Sequence, residues 1–111
     1  MLEKYKIIGK DTAGISQISY KKLEELSDKT LKLIYVKEGF PPMCTFVFND
    51  ETAYMASGFG VGYSGEGPHT FHKAIRLFSD KIAPEFENTV ISKLAHDKSW
   101  TWTPEEGFKQ Q

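Results

Sequence analysis

The chain has 111 residues, 40% of them apolar and 26% charged, and a net charge of −1. That is the length of one ordinary domain, able to bury a core without disulfides or metals. The charge balance, with Arg76 the only arginine among 14 basic residues, excludes a broad surface for gripping duplex nucleic acid through its phosphates. Cys44 is the single cysteine, so no intramolecular disulfide can form, and the composition leans toward a reducing compartment. Met1 to Lys10 alternates charged and apolar residues, unlike the apolar stretch of a secretory signal, and no apolar run approaches a membrane span. The expectation is a single soluble, cytoplasmic domain over residues 1–111 with no membrane partner and a polar tail, 104–111, that frays.

In chain order, Glu3 to Ile8 reads as a short strand and Asp11 to Gly14 as a turn. Ile15 to Ile18 is ambiguous and compatible with an extended segment. Ser19 is placed to cap a helix from Tyr20 to about Ser27, with Tyr20, Leu23 and Leu26 as its buried stripe. Leu31 to Val36 reads as a strand buried on both faces, ended by Gly39, Pro41 and Pro42. Met43 to Phe48 and Thr52 to Ser57 flank Asn49, Asp50 and Glu51, and together read as a β-hairpin over residues 43–57. Pro68 to about Lys81 reads as a helix with Phe71, Ile75, Phe78 and Ile82 on one apolar face. Pro84 opens a third helix to about Ala95, with Phe86, Val90 and Leu94 facing inward; a strand from Thr89 to Leu94 competes, because Val90 and Ile91 are β-branched. Trp100 and Trp102 alternate with threonines and suggest a short closing strand. The expected fold class is α+β: an antiparallel sheet of about four to five strands with two to three helices packed on it.

The least ordinary segment lies between the hairpin and the helix at Pro68. Five of the nine glycines fall between Gly58 and Gly67, which marks a place where the backbone turns tightly or another group approaches closely. Gly60-x-Gly62-x-x-Gly65 matches the letters of the dinucleotide fingerprint, but a hairpin strand precedes it and no clear strand follows the helix, so the required β-α-β unit is missing. The phosphate-binding P-loop pattern is also missing. A glycine-rich loop at a helix start still presents backbone N–H groups, here those of His69, Thr70 and Phe71, to an anion. His69, His72, Lys73 and Arg76 fall on the side away from the apolar face. Positive groups near a helix start run against the helix dipole, which singles them out.

Other chemistry is less complete. His69 and His72 are three apart and could share a metal with Glu66, but no metalloprotease or paired-cysteine pattern accompanies them, and exposed histidines are the simpler reading. Ser64 lies near His69 and His72, yet Gly62-Tyr63-Ser64-Gly65 does not complete a nucleophile elbow. Cys44 in an apolar strand reads as a buried, inert thiol. Of two alternating tryptophans, one ring commonly joins the core while the other stays partly exposed. No catalytic residue, metal ligand or cofactor is assigned, and the chain leans away from an enzyme.

The leading functional expectation is a small binding domain that captures a phosphorylated or otherwise anionic small molecule, a nucleotide among the candidates. The ligand-binding set is Gly60, Gly62, Tyr63, Ser64, Gly65, Gly67, His69, His72, Lys73 and Arg76. Backbone N–H groups would hold the anion, Tyr63 would cover a ring, and Lys73 and Arg76 would supply charge. Glu66 sits awkwardly beside such a site. The alternative is a protein-interaction module, a small inhibitor or adaptor of the kind mobile elements encode, with Phe59, Val61 and Tyr63 as anchors of a docking loop. A homodimer is compatible with either.

Overall fold

The alternating apolar residues of the hairpin segment build the middle of a sheet. In the computed structural model, which describes residues 4–63, 65–79, 90, 94–95 and 97–111, strand β3 (Met43–Phe48) pairs antiparallel with β4 (Thr52–Ala56). Cys44, Phe46 and Phe48 share one face and join the main core, as the two-residue period of a strand requires. The turn between them is closed by Asp50, whose carboxylate accepts from the Thr52 backbone N–H at 3.2 Å and from Lys29 at 2.5 Å. The Lys29 bond, with those from Thr52, pulls the Asp50 pKa down to about 2.

Strand β2 (Leu31–Lys37) pairs antiparallel with β3 on the other side, then with β5 (Trp100–Thr103), which pairs with β6 (Gly107–Gln110). Strand β1 (Lys6–Lys10) lies at the opposite edge, and the full order is β1-β4-β3-β2-β5-β6. Helices α1 (Ser16–Glu25) and α2 (Glu66–Arg76) pack against each other. Leu23, Phe71, Ala74 and Ile75 share the main core with the sheet residues Ile34, Val36, Phe46, Phe48 and Trp102. Phe46 sits at its centre, with the rings of Phe59, Phe71 and Phe78 at about 6 Å.

The fold is α+β, but three expectations about it change. Among the described residues the sheet has six strands, and it is mixed rather than antiparallel, because β1 runs parallel to β4. Since α1 carries the chain from one edge across to β2, β1 and β2 point the same way, and the hairpin fills the gap between them. The tail does not fray over 104–111: Gly107–Gln110 adds the sixth strand, and Phe108 reaches the Phe71 ring at 6.2 Å. Both helices also start earlier than expected. The first begins at Ser16, so Ser19 is not its cap but lies buried inside it. The second begins at Glu66 and ends at Arg76; Phe78, just past its end, still packs on Phe48 at 5.5 Å. Ile82 and most of the expected third helix, Pro84 to Ala95, lie outside the described residues; Val90 and Leu94 are buried in the core. No helix of the described residues is long and apolar enough to cross a membrane.

Cys44 is fully buried, and burial, reinforced by the charge of Asp11, pushes its thiol pKa well up. A thiolate is the reactive form. Modification of Cys44 by an exposed-thiol reagent is therefore expected to be slower in the native protein than in urea by about a thousandfold or more, as for a site reached only by global opening. Labelling followed by mass spectrometry checks this, and rapid native labelling would refute the packing of β3.

Candidate functional site

Strands β1 and β4 deliver their C-terminal ends, and α1 and α2 their N-terminal ends, to one end of the domain. Asp11, directly after β1, joins them. Its carboxylate accepts from Ser19 Oγ at 3.0 Å, Tyr54 Oη at 2.8 Å, Ser57 Oγ at 2.5 Å and the Ser57 backbone N–H at 2.9 Å. The two serine hydroxyls pass the network on. Ser19 Oγ accepts from the Gly58 N–H and Ser57 Oγ from the Gly14 N–H, both at 3.0 Å. Partial burial raises the Asp11 carboxyl, but the hydrogen bonds from Ser57, Tyr54 and Ser19 together outweigh it and hold the pKa below the ordinary 3.8. Tyr54 is shifted up, by burial and by donating to Asp11.

Sequence reasoning placed Asp11 only in a turn. The available signal was Ser19, four residues before Leu23 on the helix stripe: a hydroxyl at a core-facing position needs a partner.

The glycine-rich loop starts from this hub. Gly58 passes so close to α1 that a Cβ there would lie 2.3 Å from the Ile15 carbonyl oxygen. Phe59 and Val61 then turn inward and are buried, with Phe59 stacked on Phe71 at 5.3 Å. They are core residues, not the exposed anchors expected of a docking loop. The Gly62 N–H donates to the Val90 carbonyl at 2.8 Å. Tyr63 folds back over its own loop: Cβ atoms at Gly60 and Gly67 would meet its hydroxyl at 2.5 and 2.7 Å, and one at Gly65 would touch the ring edge. The glycines form a seat for this ring.

The predicted ligand set is only partly brought together. Gly60, Gly65 and Gly67 converge on Tyr63, while Gly62, at φ +80°, has its N–H taken by the Val90 carbonyl. Ser64 lies outside the described residues. The His69 N–H is already bonded to the Gly65 carbonyl at 3.2 Å. His72 is 5% exposed, so it faces the interior and not the solvent side assigned to it. Lys73 and Arg76 are exposed, but they occupy the last turn of α2, where a helix dipole favours cations, while Glu66 occupies the first. About 15 Å of helix axis separates Glu66 from Arg76. The apparent conflict with the dipole disappears once the helix starts at Glu66. Glu66 accepts from Gln17 Nε2 at 2.9 Å, tying the starts of both helices together. Trp102 is buried and Trp100 half-buried, its Nε1–H donating to the Ala95 carbonyl at 3.0 Å. Among the described residues, no group of three or more His, Cys, Asp or Glu side chains is placed to hold a metal ion.

This end exposes large apolar side chains beside the Gln17–Glu66 pair. Phe40, 70% exposed at the tip of the β2–β3 connection, lies against the exposed Tyr63 ring at 5.6 Å. Ile15, the N-cap of α1, and Ile18, in its first turn, are exposed on either side of the Gln17 that holds Glu66. No family model, curated protein or solved structure matches the chain.

Proposed function

We propose that the domain is a non-enzymatic protein-docking module, an adaptor or small inhibitor, whose contact surface is this apolar end. One observation carries the reading. Among the described residues, four of the six exposed large hydrophobics, Ile15, Ile18, Phe40 and Tyr63, sit on segments joined by the Phe40–Tyr63 and Gln17–Glu66 contacts. Clustered exposed apolar groups mark interaction surfaces, and aromatic anchors dominate their energetics. The glycine seat and the Asp11 network hold these side chains on a rigid base, which lowers the entropy lost on docking. The partner that fits is a protein presenting an apolar pocket to the aromatic pair.

Anion capture at the start of α2 remains the competing proposal, and one experiment separates the two. The immobilised domain is used for affinity capture at low and high salt, beside a Phe40→Ser/Ile18→Ser variant. Both positions are exposed, so folding stability should change by no more than about 0.5 kcal/mol each. The expected result is a partner, or a second copy of the chain, retained at high salt and lost at least about tenfold in the variant. In parallel, melting is followed with inorganic phosphate and with mono- and cyclic nucleotides. A rise of several degrees with one of these, abolished by His69→Ala near the start of α2, would transfer the function to anion capture.

A further inference from the structure

A second feature lies away from the apolar end. Strand β1 is the last strand of the sheet and pairs only with β4, so its other edge presents backbone N–H and C=O groups with no strand beside them among the described residues. Beside that edge is a cleft of about 310 Å³. Ile8 and Lys10 form one wall, Lys22, Glu25 and the α1 C-cap Leu26 the other, and Tyr54 the floor. Gly9 lets the floor exist: a Cβ there would lie 2.7 Å from the Tyr54 ring. The Tyr54 hydroxyl is pinned by Asp11, so the floor is fixed before anything binds. The register slips between Ile7 and Gly9, and both Ile7 and Ile8 are left exposed.

Lysines predominate. Lys6 and Lys10 flank the open edge and Lys22 faces it from α1, against Glu25 and the Asp11 carboxylate that holds the Tyr54 hydroxyl. Among the described residues the ion pairs engage Lys29, Lys32 and Lys109 and none of these three. Edge lysines repel a second basic edge, which disfavours pairing of β1 with β1 of another copy. The same charges favour an acidic strand.

We propose that the groove between β1 and α1 binds an extended, acidic segment of a partner protein by strand addition. The segment's backbone pairs with the open edge of β1. Its alternate side chains point toward the cleft, where one apolar side chain rests on Tyr54, Ile8 and Leu26. Its carboxylates meet Lys10 and Lys22. The volume is at the lower limit for a small-molecule pocket of roughly 300–1,000 Å³ and suits one side chain of a longer ligand. The proposal stands on the edge strand and the cleft, and does not depend on docking at the apolar end.

The test uses the full chain and a short synthetic peptide in which glutamates stand two residues before and two residues after a leucine, so that the three side chains share one face of the strand. Controls are the same peptide with lysine for glutamate, one N-methylated along one backbone edge, and free glutamate. Affinity is read by fluorescence anisotropy and location by amide chemical shifts. The acidic peptide is expected to bind with shifts at residues 7–10 and 22–26. Binding should weaken at least about tenfold in Lys10→Glu/Lys22→Glu, whose melting temperature should fall by only a few degrees, because both lysines are exposed and Lys22 gives up only its favourable place in the last turn of α1. The N-methylated peptide should lose a similar factor, since its donors are gone. Equal binding of the acidic and basic peptides would overturn the proposal. So would shifts confined to the apolar end, or free glutamate competing as well as the peptide does.

Discussion

Asp11→Ala is expected to lower stability by about 3 kcal/mol at neutral pH, because it strips a shared acceptor from four donor groups at once. Hydrogen bonds to a charged group contribute roughly 1.5–3 kcal/mol each, and their losses do not add when the groups act together. The four donors are Ser19 Oγ, Tyr54 Oη, Ser57 Oγ and the Ser57 N–H. Water can reach part of the site, since Asp11 is only partly buried, which keeps the figure below a simple sum. For a domain of this size the urea midpoint should fall by about 1–3 M. The pH dependence has a definite sign. A carboxyl held below 3.8 in the folded state contributes stability that is fully present above that value and is lost as pH falls through the folded pKa. The gap between the parent protein and Asp11→Ala should therefore be widest at neutral pH and narrow in acid below 3.8, by the amount the pKa shift accounts for. An unmoved urea midpoint would mean that water serves these donors as well as the carboxylate does.

Gly58→Ala should cost a similar amount, about 3 kcal/mol, the upper part of the usual range for overpacking. The added methyl would lie 2.3 Å from the Ile15 carbonyl oxygen and 2.7 Å from the Ser16 nitrogen. Both are backbone atoms at the start of α1, so no side chain can swing aside and the helix itself must move. That movement pulls Ser19 from the Gly58 N–H and loosens the Asp11 network. Gly14→Ala is the matched control. Gly14 has φ +69° but nothing within 4 Å of a Cβ, so its cost is conformational alone, about 1 kcal/mol. Urea denaturation of the two variants separates close approach from backbone conformation. Equal losses would contradict the tight contact between the loop and α1.

How far the sequence could be read follows from the range of each interaction. The hairpin was legible because its signal is local: Cys44, Phe46 and Phe48 alternate, and three turn residues follow. The direction of β1 was not, because a strand of a few residues carries no mark of the neighbour it will choose. The start of α1 was misplaced because Ser19 has the chemistry of a cap, and only Asp11 and Gly58 turn that hydroxyl into a buried bridge. The tail was misjudged because Phe108 is one apolar residue in a polar stretch, and its value depends on Phe71 waiting beside it.

The glycine-rich loop shows the same division. Its composition announced a close approach, and the approach is there. What approaches is the chain itself: Ile15 against Gly58, and Tyr63 over Gly60 and Gly67. Lys73 and Arg76 are anomalous only for a helix that starts at Pro68, and this one starts at Glu66.

By itself the sequence determined the α+β class, the central hairpin, the inward face of α2 and the unusual backbone between Gly58 and Gly67. Those properties rest on periodicity and on steric limits within a few residues. Only the tertiary structure decided that Asp11 would gather Ser19, Tyr54 and Ser57, that Phe40 would meet Tyr63, and that β1 would leave an open basic edge beside α1. Those contacts join residues tens of positions apart, and their partners are selected by the packing of the whole sheet and its helices rather than by any local pattern.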